Sequence, residues 1–245
     1  MSDWPDDWIL PDWPAPSSVK AVVTTRSGGV SQPPFDSFNL GDHVDDRPEA
    51  VAANRQRLQR ALGSEPAWMS QVHSNVVVEA DPQARPTADA CWTTRKGVAC
   101  AVLTADCLPV LFCDSAGSRV AAAHAGWRGL AAGMLEATVV ALGESPTRLM
   151  AWLGPAIGPG RFEVGAEVRE AFVSQHAAAC DAFTLSDNPG RYMADIYQLA
   201  RIRLAACNVT AVFGGGFCTV SDPRFYSYRR AARTGRFASL IWLDH

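Results

Sequence analysis

The chain has 245 residues, of which 48% are hydrophobic and 19% charged, and its formal net charge at pH 7 is −3. This composition is typical of a soluble globular protein, and the length suits one large domain, which we expect over residues 1–245. The small negative charge, without any basic run, argues against a nucleic-acid partner. No stretch approaches the ~20 apolar residues of a membrane span, so no membrane partner is expected.

The cysteines and the N-terminus indicate the compartment. The seven cysteines include no C-x-x-C pair and are odd in number, which predicts reduced thiols and not a disulfide framework. The acidic start, Met-Ser-Asp-Trp, lacks the positive charge and the apolar core of a secretory signal. We therefore expect a cytoplasmic protein.

Apolar periodicity and turn residues predict the secondary structure in chain order. The predicted elements are a strand at 19–25, a helix at 48–62, strands at 76–78, 97–103, 108–113 and 119–123, a helix at 130–142, a strand at 148–153, helices at 166–175 and 192–206, and a strand at 237–243. Strands and helices are intermixed without regular βαβ alternation. The predicted fold class is therefore α+β, with mixed β-sheets flanked by helices.

Two histidines and one cysteine stand among small and polar residues. They are His73 in Gln-Val-His-Ser-Asn, Cys107 in Thr-Ala-Asp-Cys-Leu-Pro, and His124 in His-Ala-Gly-Trp-Arg-Gly. Imidazole and thiolate are the ligands that a borderline-soft divalent metal prefers, and three protein ligands with an open fourth position are typical of a catalytic zinc site. Their spacing matches no zinc finger, so the site depends on the fold bringing the three together.

A predicted hairpin brings two of the three candidates together. The turn composition Asp114-Ser115-Ala116-Gly117 separates two apolar runs of strand length, which predicts a hairpin centred between Ser115 and Ala116. In that register Cys107 lies directly opposite His124, and opposed residues have Cα atoms about 4.5–5.5 Å apart. His73 comes from elsewhere, just before the strand at 76–78.

Arginines near glycines are candidates to bind an anionic part of the substrate. They are Arg26 beside Gly28-Gly29, Arg128 beside Gly126 and Gly129, and Arg229-Arg230 before Thr234-Gly235-Arg236. Guanidinium groups match phosphate oxygens in pairs, and neighbouring glycines let backbone amides approach the same anion. Simple solvation of a surface arginine is the alternative.

Other polar residues near the motifs are candidates for the pocket. Asn39 and His43, in Asn-Leu-Gly-Asp-His, are candidates to line it, and a loop fixed by its own Asx turns is the alternative. Asp106, adjacent to Cys107, is a candidate to orient a ligand histidine or to carry a proton, and it could equally cap a turn.

Three mechanisms remain open from these residues alone. The first is metal-assisted hydrolysis, as in deamination, although the nucleobase deaminase signature of H-x-E with P-C-x-x-C is missing. The second is a metal-free couple in which Cys107 is the nucleophile and His124 the base. The third is a copper oxidase. Five histidines are too few for a four-copper enzyme, but a single copper held by two histidines and a cysteine stays possible.

Several motifs together resemble the YfiH family over nearly the whole chain. They are Thr-Thr-Arg-Ser-Gly-Gly-Val-Ser at 24–31, Phe-Asn-Leu at 38–40 with His-Val at 43–44, Gln-Val-His at 71–73, Thr-Ala-Asp-Cys-Leu-Pro at 104–109, His-Ala-Gly-Trp-Arg-Gly at 124–129, Leu-Gly-Pro-Ala-Ile at 153–157 and Ser-Tyr-Arg-Arg at 227–230. Members of this family are known as laccase-domain polyphenol oxidases and as purine nucleoside phosphorylases.

The resemblance implies a fold, a metal and an activity. The fold would be a layered α+β sandwich of the kind grouped with the deamidating-toxin catalytic domain. The metal would be zinc, held by His73, Cys107 and His124, with copper as the alternative. The activity would be phosphorolysis of adenosine, inosine and methylthioadenosine to base and pentose 1-phosphate, with adenosine deamination beside it, and the expected partners are nucleoside and phosphate bound to a monomer. The family is also linked to peptidoglycan precursors, which leaves a Cys–His amide hydrolase as an alternative.

Overall fold

The computed structural model describes residues 5–244, so the acidic start at 1–4 lies outside the described residues. The strands are β1 (Val19–Val23), β2 (Glu65–Ala67), β3 (Val77–Glu79), β4 (Ala90–Thr93), β5 (Val98–Thr104), β6 (Leu108–Asp114), β7 (Val120–Ala125), β8 (Leu149–Leu153), β9 (Glu163–Gly165), β10 (Phe183–Leu185), β11 (Arg191–Ala194), β12 (Ala211–Gly214) and β13 (Phe237–Leu243). The α-helices are α1 (Pro48–Leu62), α2 (Trp127–Ala131), α3 (Met134–Leu142), α4 (Ala166–Val173) and α5 (Ile196–Ala206), with 3-10 segments at Pro146–Arg148 and Ala177–Ala182. None of these helices is long and apolar enough to cross a membrane.

The strands form mixed sheets. A four-stranded sheet has the order β1-β13-β5-β2, a six-stranded sheet has the order β12-β8-β6-β7-β4-β3, and a small sheet has the order β10-β11-β9. Most neighbouring strands are antiparallel, but β2 runs parallel to β5, β3 to β4, and β12 to β8. This arrangement confirms the predicted α+β class with mixed sheets.

Alternating side chains place the two larger sheets in layers. In β6, Leu111 and Cys113 point into a core shared with β5, β13 and β1, so this core separates the six-stranded from the four-stranded sheet. Val110 and Phe112 point the other way, into a core shared with α3, α4 and α5. On the outer face of the four-stranded sheet, α1 contributes Leu58 and Leu62 to a third core. The period of two along β6 therefore builds a sandwich with helices on both outer faces.

Residues that begin or end helices explain which predicted elements are correct. The helix at 48–62 is confirmed at both ends, because Pro48 occupies the first turn and Gly63 follows the last with φ 64°. The predicted helix at 130–142 divides into α2 and α3 at Gly133, which has φ 92°. In the predicted helix at 192–206, the first residues form β11, and α5 begins after Asp195, whose side chain accepts hydrogen bonds from two N–H groups of the first turn.

The predicted register of the β6–β7 hairpin is wrong by two residues. Pro109 pairs with His124 and Cys113 with Val120, so Cys107 does not lie opposite His124. The cause is Asp114, whose carboxylate accepts hydrogen bonds from the backbone N–H groups of Ser118 and Arg119 and from the Ser118 hydroxyl. These bonds hold two more residues in the turn than its composition suggested. A shift of two leaves every side chain on its predicted face, because strand side chains alternate with period two.

Candidate metal centre

His73, Cys107 and His124 meet at one end of the six-stranded sheet. His73 lies in the loop before β3, Cys107 in the turn between β5 and β6, and His124 near the end of β7. The three candidate ligand atoms all lie within 4.8 Å of one another. His124 is buried, Cys107 is half-buried and His73 is exposed, so one side of the group opens outward. The fold therefore brings the three residues together, although the register of the β6–β7 hairpin differs from the predicted one.

The spacing of these atoms fits a tetrahedral metal ion. Cys107 Sγ and His73 Nε2 are 3.6 Å apart. Two ligands of a tetrahedral zinc, at about 2.3 Å to sulfur and about 2.0 Å to nitrogen, lie about 3.5 Å apart. The backbone also leaves room for the group: a Cβ at Gly126 would lie 2.8 Å from His73 Cδ2 and 2.9 Å from Cys107 Sγ. The donor set of two imidazoles and a thiolate suits zinc, and it suits a single copper as well.

A buried carboxylate that the sequence analysis missed, Asp89, orients this group. Asp89 Oδ1 lies 2.8 Å from His124 Nδ1, and an ionised carboxylate only accepts, so Nδ1 carries a proton, and in the neutral ring Nε2 keeps the lone pair that binds a metal. Burial raises the pKa of Asp89, but hydrogen bonds from His124 and Ser74 outweigh burial and hold it well below its usual range. The available sequence signal was an acidic residue between alanines at the start of an apolar run, where a buried charge needs a partner.

The electrostatics favour a thiolate beside a charged imidazole in the metal-free site. Burial raises the pKa of the Cys107 thiol, but the charge and hydrogen bond of His124, with those of His73, outweigh burial and lower it to about 6. Burial lowers the pKa of His124, but the Cys107 thiolate and Asp89 outweigh burial and raise it to about 9. A thiolate is the form of cysteine that binds metals and attacks electrophiles. The site is therefore prepared for either role at neutral pH.

A cavity of about 460 Å³ opens over the three ligand residues. One part of its wall is apolar and includes Ile157, Phe162 and Ile196, while the cationic residues on the wall are Arg128, Arg229 and Arg236. Burial lowers the pKa of Arg236, and the negative charges of Cys107 and Asp106 oppose that effect. The cavity thus combines a metal-ligand group, an apolar surface and positive charge.

Four of the predicted pocket residues line this cavity, namely His43, Asp106, Arg128 and Arg229. Burial and the charge of Arg236 lower the pKa of His43, so its imidazole is neutral at pH 7. The Arg128 guanidinium lies 4.5 Å from the centre of the Trp127 ring.

Arg229 and Asp106 are connected through the backbone. Asp106 Oδ2 accepts a hydrogen bond of 2.6 Å from the Arg229 N–H, and Oδ1 accepts one of 2.6 Å from the Thr219 hydroxyl. The Arg229 guanidinium donates to the carbonyls of Arg161 and Glu163. Asp106 therefore fixes the position of the arginine loop beside Cys107, and its predicted part in proton transfer stays a prediction.

Arg26 and Asn39 do not line the cavity. Arg26 donates to the backbone carbonyl of Asp36 and forms an ion pair of 2.9 Å with its carboxylate. Asn39 is fully buried, and its Oδ1 accepts hydrogen bonds from the backbone N–H groups of Gly41 and Arg236. The Asx-type explanation of the Asn39 loop is therefore the one that the structure bears out, and Arg236 lines the cavity where Arg26 was expected.

Comparison with known proteins gives matches over nearly the whole chain. The family model described as multi-copper polyphenol oxidoreductase laccase matches residues 20–244. A purine nucleoside phosphorylase of Pseudomonas aeruginosa is 68% identical over 238 residues, covering 97% of this chain and 98% of that protein. The purine nucleoside phosphorylase YfiH of Escherichia coli is 54% identical over 240 residues, covering 96% and 98%. This chain belongs to the YfiH family.

A solved structure from the YfiH family has the same fold. A Neisseria meningitidis protein superposes with a TM-score of 0.95 at 51% identity, and the match covers 98% of this chain and 100% of that chain. The two names within the family, oxidase and phosphorylase, imply different chemistry. Among residues 5–244, one group of histidine, cysteine and acidic side chains is placed to hold a metal, whereas multi-copper oxidation requires several metal positions.

Proposed function

We propose that this YfiH-family protein is a zinc-dependent purine nucleoside phosphorylase. Its substrates are adenosine, inosine and methylthioadenosine, its products are the free base and the pentose 1-phosphate, and adenosine deamination is a second activity. The observation that carries the proposal is the joint presence of a three-ligand open metal group and a cationic wall in one cavity. We further propose that it acts as a cytoplasmic monomer.

The cavity is suited in size and lining to a nucleoside and a phosphate. Small-molecule sites have volumes of about 300–1,000 Å³, and this one measures about 460 Å³. The apolar wall, with Ile157, Phe162 and Ile196, favours a flat purine base. Arg128, Arg229 and Arg236 supply guanidinium groups that match phosphate oxygens. His43, a neutral imidazole on the same wall, offers one donor and one acceptor to the base or the sugar.

In phosphorolysis, a phosphate oxygen forms a bond to C1′ of the pentose while the bond from C1′ to the purine nitrogen breaks. The electron pair of that bond leaves with the purine, which takes up a proton. The arginines hold the phosphate against C1′ and oppose its repulsion from the Cys107 thiolate. When bound, zinc supplies a Lewis acid that withdraws electron density from the substrate group in contact with it.

In deamination, water adds to the purine C6 and ammonia leaves, so a group in the cavity must move a proton. Asp106 is our candidate, because each carboxylate oxygen has two lone pairs and each accepts one hydrogen bond from the protein here. His73, Cys107 and His124 would hold the metal during both reactions.

The decisive assay gives the purified protein inosine with and without phosphate and measures hypoxanthine and ribose 1-phosphate. We expect release that requires phosphate, is lost on chelation, and returns with zinc. Cys107→Ser should abolish it, while Cys180→Ser, the same change at an exposed cysteine outside the cavity, should not. Phosphate-independent or chelator-resistant release would contradict the proposal. Metal analysis of the protein as isolated tests zinc against copper, and ammonia release from adenosine tests deamination.

A specific observation also supports a second candidate, a Cys–His amide hydrolase acting on peptidoglycan precursors. Cys107, His124 and Asp89 form a thiolate, imidazolium and carboxylate series, which is the arrangement of a cysteine nucleophile with its base and the residue that orients the base. The thiolate would attack an amide carbon, His124 would protonate the leaving amine, and water would release the acyl group. Amide hydrolysis that resists chelation and is lost on thiol alkylation would favour this candidate.

A further inference from the structure

The Asp89 side chain accepts hydrogen bonds from both histidines of the metal-ligand group. It directly precedes β4 and its side chain is fully buried. Its Oδ1 accepts hydrogen bonds from His124 Nδ1 at 2.8 Å and from the His73 backbone N–H at 2.9 Å. Its Oδ2 accepts bonds from the Val72 N–H at 3.2 Å and from the Ser74 N–H and hydroxyl at 2.6 and 2.7 Å. A single oxygen atom thus touches both histidine ligand residues.

We infer that Asp89 is the positioning residue of the metal centre, and that its one carboxylate sets both imidazoles. At His124 it selects the tautomer whose Nε2 lone pair is free for a metal. At His73 it acts on the backbone, which has φ 63°, a conformation that residues other than glycine rarely adopt. Three successive N–H groups converge on the carboxylate around this residue and stabilise that conformation. The inference depends on the metal site but not on which reaction the site performs.

The chemistry of the contacts requires a carboxylate and not an amide. The backbone N–H groups and the His124 ring N–H are all donors toward Asp89, so both of its oxygens must accept. An asparagine has one accepting oxygen and one donating nitrogen. If its nitrogen faces His124, the ring must move its proton to Nε2 and lose the metal-binding lone pair. If its nitrogen faces Val72 and Ser74, their N–H groups lose their acceptor and the His73 loop is released.

Asp114, the last residue of β6, offers a matched control for Asp89. This residue is also a fully buried carboxylate, and it also accepts hydrogen bonds from two backbone N–H groups and a serine hydroxyl. It lies at the opposite end of β6 from Cys107 and does not line the cavity. Asp114→Asn therefore removes an equivalent charge and equivalent loop contacts without touching a ligand residue.

The test compares zinc affinity, measured by competition with a chelator, in the wild type, Asp89→Asn and Asp114→Asn. We expect Asp89→Asn to weaken zinc binding by about 10–100-fold, the usual loss when a residue that orients a ligand is changed. Asp114→Asn should bind zinc like the wild type, although both variants lose stability. Wild-type affinity in Asp89→Asn, or an equal loss in both variants, would overturn the inference.

A measurement on the unmodified protein covers the case in which Asp89→Asn does not fold. In nitrogen-15 NMR of the zinc-loaded wild type, the His124 ring should carry its proton on Nδ1, with slow solvent exchange. A proton on Nε2 would overturn the inference on its own. Because neither readout involves nucleoside or phosphate, failure of phosphorolysis would leave the Asp89 result standing, and the reverse also holds.

Discussion

Gly126 provides a direct test of the packing around the ligand residues. Its backbone angles, φ −59° and ψ 155°, suit any residue, so Gly126→Ala introduces no backbone strain. The added Cβ would lie 2.8 Å from His73 Cδ2, whereas carbon atoms in contact need about 3.5 Å. The His73 ring must therefore move by about 0.7 Å, which exceeds the tolerance of about 0.5 Å for a functional site.

We expect Gly126→Ala to weaken zinc binding by about 10–100-fold, equivalent to about 1.4–2.7 kcal/mol. The free energy of unfolding without metal should change by less than about 1 kcal/mol. Replacing glycine by alanine restricts the unfolded chain, and this gain offsets part of the new contact. The exposed His73 ring is also free to yield. The mutation thus separates metal affinity from stability.

Chelator competition for zinc and urea denaturation of the metal-free protein give the two quantities. Gly160→Ala is the matched control, because a Cβ there meets no atom within 4 Å and the glycine does not have a positive φ. It should leave zinc affinity unchanged and raise the free energy of unfolding by less than about 1 kcal/mol, because alanine restricts the unfolded chain there as well. If Gly126→Ala binds zinc as tightly as Gly160→Ala does, the arrangement of His73 and Cys107 around Gly126 is not the metal site.

Two further predictions concern a charge at the hairpin and the cations of the cavity. Burial raises the pKa of Asp114, but hydrogen bonds from Ser118 and Arg119 outweigh burial and lower this pKa below its usual 3.8. The ionised carboxylate therefore stabilises the fold fully above about pH 4, and this stabilisation is lost as pH falls through the folded-state pKa. Urea denaturation should show Asp114→Asn less stable than the wild type by about 1–2 kcal/mol at pH 7 and by less at pH 3, and an equal difference at both pH values would contradict this prediction. Steady-state kinetics should show that Arg236→Ala raises KM for phosphate at least about tenfold, or about 1.4 kcal/mol, while Arg26→Ala, outside the cavity, leaves it unchanged. The reverse order would restore Arg26 as the phosphate ligand.

Features set by residue type and by periodicity could be predicted from the sequence, and features set by particular side-chain contacts could not. The bounds of α1 follow from Pro48 and Gly63, and the faces of β6 follow from simple alternation. The hairpin register failed because the Asp114 side chain, not the turn composition, decides how many residues the turn contains. Composition cannot show where a carboxylate will find its donors.

Side-chain contacts also explain why Arg236 lines the cavity and the predicted Arg26 does not. Both arginines follow or precede glycine-containing turns, so their local sequences look equivalent. Asn39 Oδ1 holds the backbone N–H of Arg236, which is distant in sequence, and Asp36 pairs with Arg26. The contact of Asn39 with Arg236 joins segments 197 residues apart, whereas the pair of Arg26 with Asp36 spans only ten residues of one loop.

One turn of the chain links the metal-ligand group to the Arg229 loop and to the apolar wall of the cavity. Asp106 has φ 93° and directly precedes the ligand Cys107, while its Oδ2 accepts the backbone N–H of Arg229. Its backbone carbonyl also accepts the N–H of Ile157, on the apolar wall. The sulfur, the arginine loop and part of the apolar wall are therefore all tied to a single residue. A displacement of Asp106 would move the three together, so their relative positions depend on this turn.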